Sequence, residues 1–221
     1  MVSAIIVAAG NSTRMGVDKQ RLLLGGRPVI IHTLSAFEHC PSIDEIVLVT
    51  RAEEIEPLTA LAEKYGITKL SSVVEGGADR QTSVAHGIAC CAEESTHFAI
   101  HDGARPLITS EVITRTVETA KKTGAAAAAV RVKDTIKVVN EQNVIIDTPN
   151  RDTLWSVQTP QVFEKQVYLH SLAYAEENKL AVTDDCRLAE AAGYAVQLVE
   201  GSYRNIKITT PEDIAMAEGL L

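Results

Sequence analysis

The chain has 221 residues, enough for one large α/β domain spanning residues 1–221 without requiring two. Apolar residues make up 46 % and charged residues 23 %, a composition that supports a core and argues against disorder. The formal net charge of −8 argues against a general nucleic-acid binder, so any anion site must gather its positive charge locally, as Arg14, Lys19, Arg21 and Arg27 do.

Strand-like and helix-like runs alternate along the chain. Predicted strands cover Ser3–Ala8, Glu45–Thr50, Lys69–Val74, His97–His101, Ala125–Val132, Ala195–Val199 and a short Asn205–Ile208. Predicted helices cover Val29–Glu38, Ile55–Tyr65, Gln81–Cys91, Ser110–Thr123, Lys165–Asn178, Asp184–Ala192 and Pro211–Leu220. This order implies an α/β fold: a doubly wound, mostly parallel sheet with crossover helices on both faces. One stretch breaks the rhythm. Asp134–Val139 and Val144–Asp147, joined by Glu141-Gln142-Asn143, read as a β-hairpin inside a projecting arm, residues 133–155. A lone hairpin is marginal in water, so it either packs on a second copy, making a homodimer, or folds back on its own domain.

In such sheets ligands collect beyond the carboxyl ends of the strands. The first strand breaks into Ala9-Gly10-Asn11-Ser12-Thr13-Arg14-Met15-Gly16, with Lys19 close behind. Glycines let backbone N–H groups approach an anion, and Arg14 and Lys19 supply neutralising charge. The spacing fits neither a Walker loop nor a dinucleotide fingerprint. The physical role of Arg14 and Lys19 would be charge neutralisation on a triphosphate: nucleotidyl transfer moves charge onto departing pyrophosphate, and fixed cations stabilise it there.

Gly76-Gly77-Ala78-Asp79-Arg80-Gln81-Thr82-Ser83 follows a strand and opens a helix. Its backbone can read a base edge; Ser83 either joins in that reading or satisfies orphan N–H groups at the helix start. Asp102, in His101-Asp102-Gly103-Ala104-Arg105-Pro106, ends an apolar strand. It can hold a divalent ion or a ribose hydroxyl, or simply pair with Arg105. His101 reads as a strand residue, since an ionised phosphate oxygen attacks without a base. Thr135, Arg151, Thr159, Thr183 and Lys207 supply the cations and hydroxyls that a phosphomonoester needs, although Thr183 also looks like a helix N-cap. Trp155 reads as a packing residue. The cysteines, Cys40, Cys90, Cys91 and Cys186, form neither a zinc pattern nor a disulfide framework, which suits a reduced, cytoplasmic protein. The apolar start is too short and lacks the basic leader of a signal peptide, and no run reaches membrane-span length.

Taken together and in order, Ala8-Ala9-Gly10…Arg14-Met15…Lys19-Gln20, Gly76-Gly77…Arg80…Ser83-Val84, His101 to Pro106, Asp134-Thr135, Asn150-Arg151…Leu154-Trp155…Gln158-Thr159-Pro160-Gln161, Thr183-Asp184 and Asn205-Ile206-Lys207-Ile208-Thr209…Pro211-Glu212-Asp213 resemble the methylerythritol phosphate cytidylyltransferase (IspD) family. The resemblance runs from about residue 3 to the C-terminus. It implies transfer of a cytidylyl group from CTP to 2-C-methyl-D-erythritol 4-phosphate, with Mg²⁺ and release of pyrophosphate, in non-mevalonate isoprenoid synthesis. It implies that Arg14, Lys19 and Lys207 act on the triphosphate and its α-phosphorus. Ala8, Ala9, Gly10, Gly77 and Ser83 would contact the nucleotide, with Asp102 beside the ribose and the metal. Arg105, Thr135, Arg151, Thr159 and Thr183 would surround the second substrate, Thr135 and Arg151 reaching across a dimer.

Two departures stand out. The family often has an acidic residue directly after Gly-Gly, where this chain has Ala78 and then Asp79; it often has Glu where this chain has Asp185. The nearest rival is a ribitol phosphate cytidylyltransferase, disfavoured by Gly103-Ala104 before Arg105. A non-catalytic nucleotide-binding protein would have no need for Arg14, Lys19, Asp102 and Lys207 together. A nicotinamide oxidoreductase is disfavoured by the glycine spacing.

Overall fold

A computed structural model describes residues 1–10, 21–180 and 182–221. In chain order the elements are β1 (Val2–Val7), β2 (Leu23–Leu24), β3 (Arg27–Pro28), α1 (Val29–Glu38), β4 (Glu45–Thr50), α2 (Ile55–Lys64), β5 (Leu70–Glu75), α3 (Arg80–Ala89), β6 (His97–Asp102) and α4 (Ser110–Thr123). They continue with β7 (Ala125–Arg131), β8 (Val138–Val139), β9 (Ile145–Asp147), β10 (Trp155–Glu164), α5 (Lys165–Glu177), α6 (Asp185–Ala191), β11 (Gln197–Glu200) and α7 (Pro211–Glu218).

Among the described residues, seven strands form one sheet in the order β11-β7-β10-β6-β1-β4-β5. All neighbours run parallel except β10, which is antiparallel to both β6 and β7. The period-two rule of a strand places the two faces. Ala4 and Ile6 of β1 point into a cluster with Ile30 and Phe37 of α1, Leu58 of α2 and Val117 of α4. Ile5 points the other way, into a cluster with Val84 of α3, Tyr168 of α5 and Leu188 of α6. The alanines of β7 divide in the same manner, Ala126 and Ala128 to one face, Ala125 and Ala127 to the other. A strand buried on both faces reads as a continuous apolar run, which is why β1, β4 and β7 are plain in the sequence.

Three expectations need correction. Strand β10 was not expected. Its register shifts between Val157 and Gln161, and that irregularity carries the polar, proline-containing Gln158-Thr159-Pro160 that hides it. Among the described residues, the stretch Asn205–Ile208 makes no sheet pairing. It is held instead by Ile208 N–H donating to the Ala104 carbonyl at 2.8 Å and by Arg105 Nη1 donating to the Asn205 carbonyl at 2.8 Å. The hairpin pairs over a shorter span than expected, Val138–Val139 against Ile145–Asp147. Ile136, Val138, Val139, Val144, Ile145 and Ile146 on this arm are all exposed.

Its base is braced. Tyr203 donates its hydroxyl to the Arg131 carbonyl at 2.7 Å, and the Lys133 ammonium lies 3.6 Å above the Tyr203 ring. Arg131 in turn stacks over Trp155 at 4.7 Å, so Trp155 is the packing residue that its sequence context suggested.

Candidate active site

Strand β1 is where the sheet order reverses, with β4 on one side and β6 on the other. A cleft of about 550 Å³ opens beyond the carboxyl ends of these strands. Ala8, Ala9 and Gly10 form its floor after β1; Thr50 and Arg51 follow β4; Gly76, Gly77, Ala78 and Ser83 follow β5; Asp102 and Ala104 follow β6. Lys207 enters from the segment that the sequence placed in a strand.

The loop after β5 is built by close approach. A Cβ on Gly76 would run into Ala9 Cβ and Ser83 Oγ, so only glycine lets this loop lie against the end of β1. Ser83 Oγ donates to the Asp79 carbonyl at 2.7 Å and accepts from Gly77 N–H at 3.0 Å. Helix α3 is capped by Asp79, whose carboxylate accepts from Thr82 N–H at 2.8 Å. Ser83 therefore stitches the loop together and leaves the cap to Asp79.

Asp102 is the electrostatic centre. Lys207 Nζ lies 2.9 Å from its Oδ2, Arg105 Nε lies 3.4 Å from the same oxygen, and Arg80 Nη2 lies 3.8 Å from Oδ1. Burial alone would raise this carboxyl; Lys207, Arg80 and Arg105 outweigh it and hold it down to about 2. The carboxylate is thus ionised across the physiological range.

Behind it runs a satisfied polar chain. Thr159 Oγ1 accepts from Asp102 N–H at 3.0 Å and lies 3.0 Å from His101 Nδ1; His101 Nε2 lies 3.3 Å from the Arg105 carbonyl. These partners fix a neutral imidazole that donates from Nε2 and accepts from Thr159 at Nδ1. Burial lowers the His101 pKa to about 3, in keeping with that state. His101 is accordingly a structural residue of β6, as expected. The Thr159 hydroxyl, expected on the substrate, is turned inward and occupied by these two bonds.

The remaining expected residues are spread more widely. Arg14 and Lys19 lie outside the described residues. Arg105 is turned toward Asp102 and the Asn205 carbonyl. Among the described residues, Thr135, Arg151, Thr159 and Thr183 do not line the cleft. Thr135 and Arg151 sit exposed on the arm, where Arg151 Nη1 donates to the Lys133 carbonyl at 2.9 Å. Thr183 is exposed just ahead of α6, and it is Asp184 that caps this helix, accepting from Arg187 N–H at 3.0 Å. Arg80 is among the cleft residues that had no assigned role in the sequence. Arg80 lines the cleft and bridges to Asp102; its place directly after a helix cap at a strand end was the available signal.

The description 2-C-methyl-D-erythritol 4-phosphate cytidylyltransferase, IspD, matches residues 2–221. This chain belongs to the IspD family. A curated relative of that name from Alkaliphilus oremlandii is 46% identical over 99% of this chain and 94% of its own length. Another, from Desulforamulus reducens, is 48% identical over 100% of this chain and 95% of its own. The crystal structure of 4-diphosphocytidyl-2C-methyl-D-erythritol synthase from Anaerococcus prevotii superposes with a TM-score of 0.89 at 34% identity, covering 99% of this chain and 95% of that one. A cytidylyltransferase structure from Thermus thermophilus gives 0.81 at 32% identity, over 100% and 98%. Membership makes this chain a CTP-dependent cytidylyltransferase, a nucleotidyltransferase. No helix among the described residues is long and apolar enough to cross a membrane.

Proposed function

We propose that this protein transfers the cytidylyl group of CTP to 2-C-methyl-D-erythritol 4-phosphate. The products are 4-diphosphocytidyl-2-C-methyl-D-erythritol and pyrophosphate. The observation that carries the reading is the meeting of Lys207 with Asp102 in a cleft floored by Ala8, Ala9 and Gly10, in a chain of this family.

A phosphate oxygen of the alcohol phosphate attacks the α-phosphorus of CTP. A new P–O bond forms as the bond to the β-phosphate oxygen breaks, and pyrophosphate leaves with the electron pair. The attacking oxygen is already anionic, so the step asks for positioning and charge stabilisation in place of a base. Arg14, Lys19 and Lys207 carry that charge. Ala8, Ala9, Gly10, Gly77 and Ser83 hold the nucleotide through backbone and hydroxyl contacts. Asp102 stands beside the ribose and would be the carboxylate that holds Mg²⁺. The ionised Asp102 carboxylate at the cleft fits an ion that would take most of its other ligands from phosphates and water. When bound, Mg²⁺ offsets charge on the phosphate chain.

Arg105, Thr135, Arg151, Thr159 and Thr183 serve the alcohol phosphate, Arg105 from behind Asp102, and Thr159 by fixing the backbone of Asp102. Thr135 and Arg151 act in the site of a second copy. The exposed isoleucines and valines of the arm, residues 133–155, support that homodimer, because a run of exposed apolar side chains on one hairpin is the mark of an interaction surface. The unpaired cysteines Cys40, Cys90, Cys91 and Cys186 suit the reducing cytoplasm.

The test is pyrophosphate release from CTP with methylerythritol phosphate and, in parallel, with ribitol phosphate. The reading expects release with the first alone. Release with ribitol phosphate alone makes the chain the sister enzyme, and release with neither removes the activity.

A further inference from the structure

Behind the cleft wall lies a carboxylate that the transfer chemistry does not use. Asp185, the first residue of α6, is buried, and so is Tyr168 of α5. The Tyr168 hydroxyl donates to Asp185 Oδ1 at 2.8 Å, and Arg80 donates from Nη1 to Asp185 Oδ2. The other terminal nitrogen of Arg80 faces Asp102. One guanidinium therefore spans from a carboxylate inside the protein to the carboxylate at the cleft.

Asp185 is itself held rigidly. The neighbouring Asp184 accepts from Gln161 Nε2 at 3.2 Å, and Gln161 Oε1 accepts from Cys186 N–H at 3.1 Å. The first turn of α6 is thus fastened to β10. Arg80 opens α3 directly after the Asp79 cap, so fixing its side chain also fixes the Gly76–Asp79 loop that walls the cleft. Burial pushes the Asp185 carboxyl up, while Arg80 and the Tyr168 hydrogen bond oppose the rise. A buried charge of this kind is costly without its partner, so Asp185 and Arg80 depend on one another.

We propose that Asp185 and Tyr168 are positioning residues for the nucleotide, holding Arg80 in one orientation so that the nitrogen facing Asp102 meets the ribose-phosphate part of CTP there. The proposal rests on the cytidylyl-transfer reading only in taking CTP as the ligand. A purely structural role lowers thermal stability and leaves the CTP affinity of the folded protein alone; a positioning role changes that affinity.

The test is calorimetric CTP binding by the full chain, with thermal midpoints, for wild type, Tyr168→Phe, Asp185→Asn, Arg80→Ala and the Asp185→Asn/Arg80→Ala pair. Asp185→Asn is expected to weaken CTP binding about tenfold and Tyr168→Phe about threefold, the scale of one charged and one neutral hydrogen bond. The pair is expected to bind no more weakly than Arg80→Ala alone, and the KM for the alcohol phosphate is expected to stay within about twofold. Wild-type affinity in Asp185→Asn, or additive losses in the pair, overturns the proposal. Should Asp185→Asn not fold, wild-type affinity in Tyr168→Phe overturns it. A wild-type protein that binds CTP but forms no cytidylyl product defeats the transfer reading alone, and one that binds no CTP defeats both.

Discussion

Lys207 Nζ rests 2.9 Å from Asp102 Oδ2, although neither residue belongs to the same part of the chain or to a shared sheet pairing. The contact exists because the Asn205–Ile208 segment is tied to the turn after β6. Ile208 N–H bonds the Ala104 carbonyl, the Asn205 carbonyl accepts from Arg105, and Asn205 Nδ2 donates to the Thr159 carbonyl at 2.8 Å. Ile208 is itself buried against Leu24, Val29 and Ala217. A buried residue next in sequence to Lys207 fixes where its ammonium can reach.

This pairing has a pH signature. The Asp102 carboxyl falls from an ordinary 3.8 to about 2 in the folded protein. The unfolded chain therefore takes up the proton first as pH falls. The stabilisation is full above about pH 4 and is lost as pH drops through 2, on the order of 2 kcal/mol. Urea unfolding of wild type and Asp102→Asn between pH 6 and pH 2 measures it. The variant is expected to be less stable at pH 6 and to lose less between pH 4 and 2. Parallel curves for the two proteins would rule the pairing out as their source.

Thr159→Val removes the hydroxyl that joins Asp102 N–H to His101 Nδ1. Two buried polar groups lose their partner, at a cost of about 1–3 kcal/mol each where no water replaces it. Chemical denaturation is expected to show the loss in Thr159→Val and its recovery in Thr159→Ser. A raised KM for the alcohol phosphate at unchanged stability returns this hydroxyl to the substrate.

Lys19→Ala is expected to lower turnover by about 10²–10³-fold while CTP affinity changes far less, because the contact strengthens as charge moves to pyrophosphate. Steady-state kinetics set beside calorimetric CTP binding separates the two. Equal losses in both assign Lys19 to ground-state binding.

The arm predicts complementation. Arg151→Ala is expected to raise the KM for the alcohol phosphate, and mixing it with Lys19→Ala protein restores part of the activity if sites are shared between subunits. Ile146→Asp, at a side-chain-bearing position 63% exposed in one chain, is expected to yield monomers in sedimentation velocity with an intact fold. Activity that stays absent after subunit exchange, or a dimeric Ile146→Asp, contradicts the shared site.

The alternation of strand and helix was legible because doubly buried strands are apolar throughout and helices carry their own punctuation. Helices α1 and α4 begin and end where the sequence places them, α4 between the Thr109 cap and the left-handed Gly124. Strand β10 was hidden because Gln158-Thr159-Pro160 looks like a loop until β6 and β7 are seen on either side. Lys207 was legible as a cation worth having and not as a neighbour of Asp102, since only long-range backbone bonds bring its segment there. Arg80 and Asp185 were both visible as residues, but their pairing depends on α3 and α6 lying on the same face of the sheet. The Thr183 cap was misplaced by one residue, a distance below what local pattern resolves.

The proposed catalysis depends on three cations converging on one phosphorus atom. A crystal structure with CTP and the alcohol phosphate bound measures it directly. The side chains of Arg14, Lys19 and Lys207 are expected within hydrogen-bonding reach, about 3 Å, of oxygens on the triphosphate, with Lys207 at the α-phosphate. Those side chains standing apart and directed into bulk solvent would contradict it.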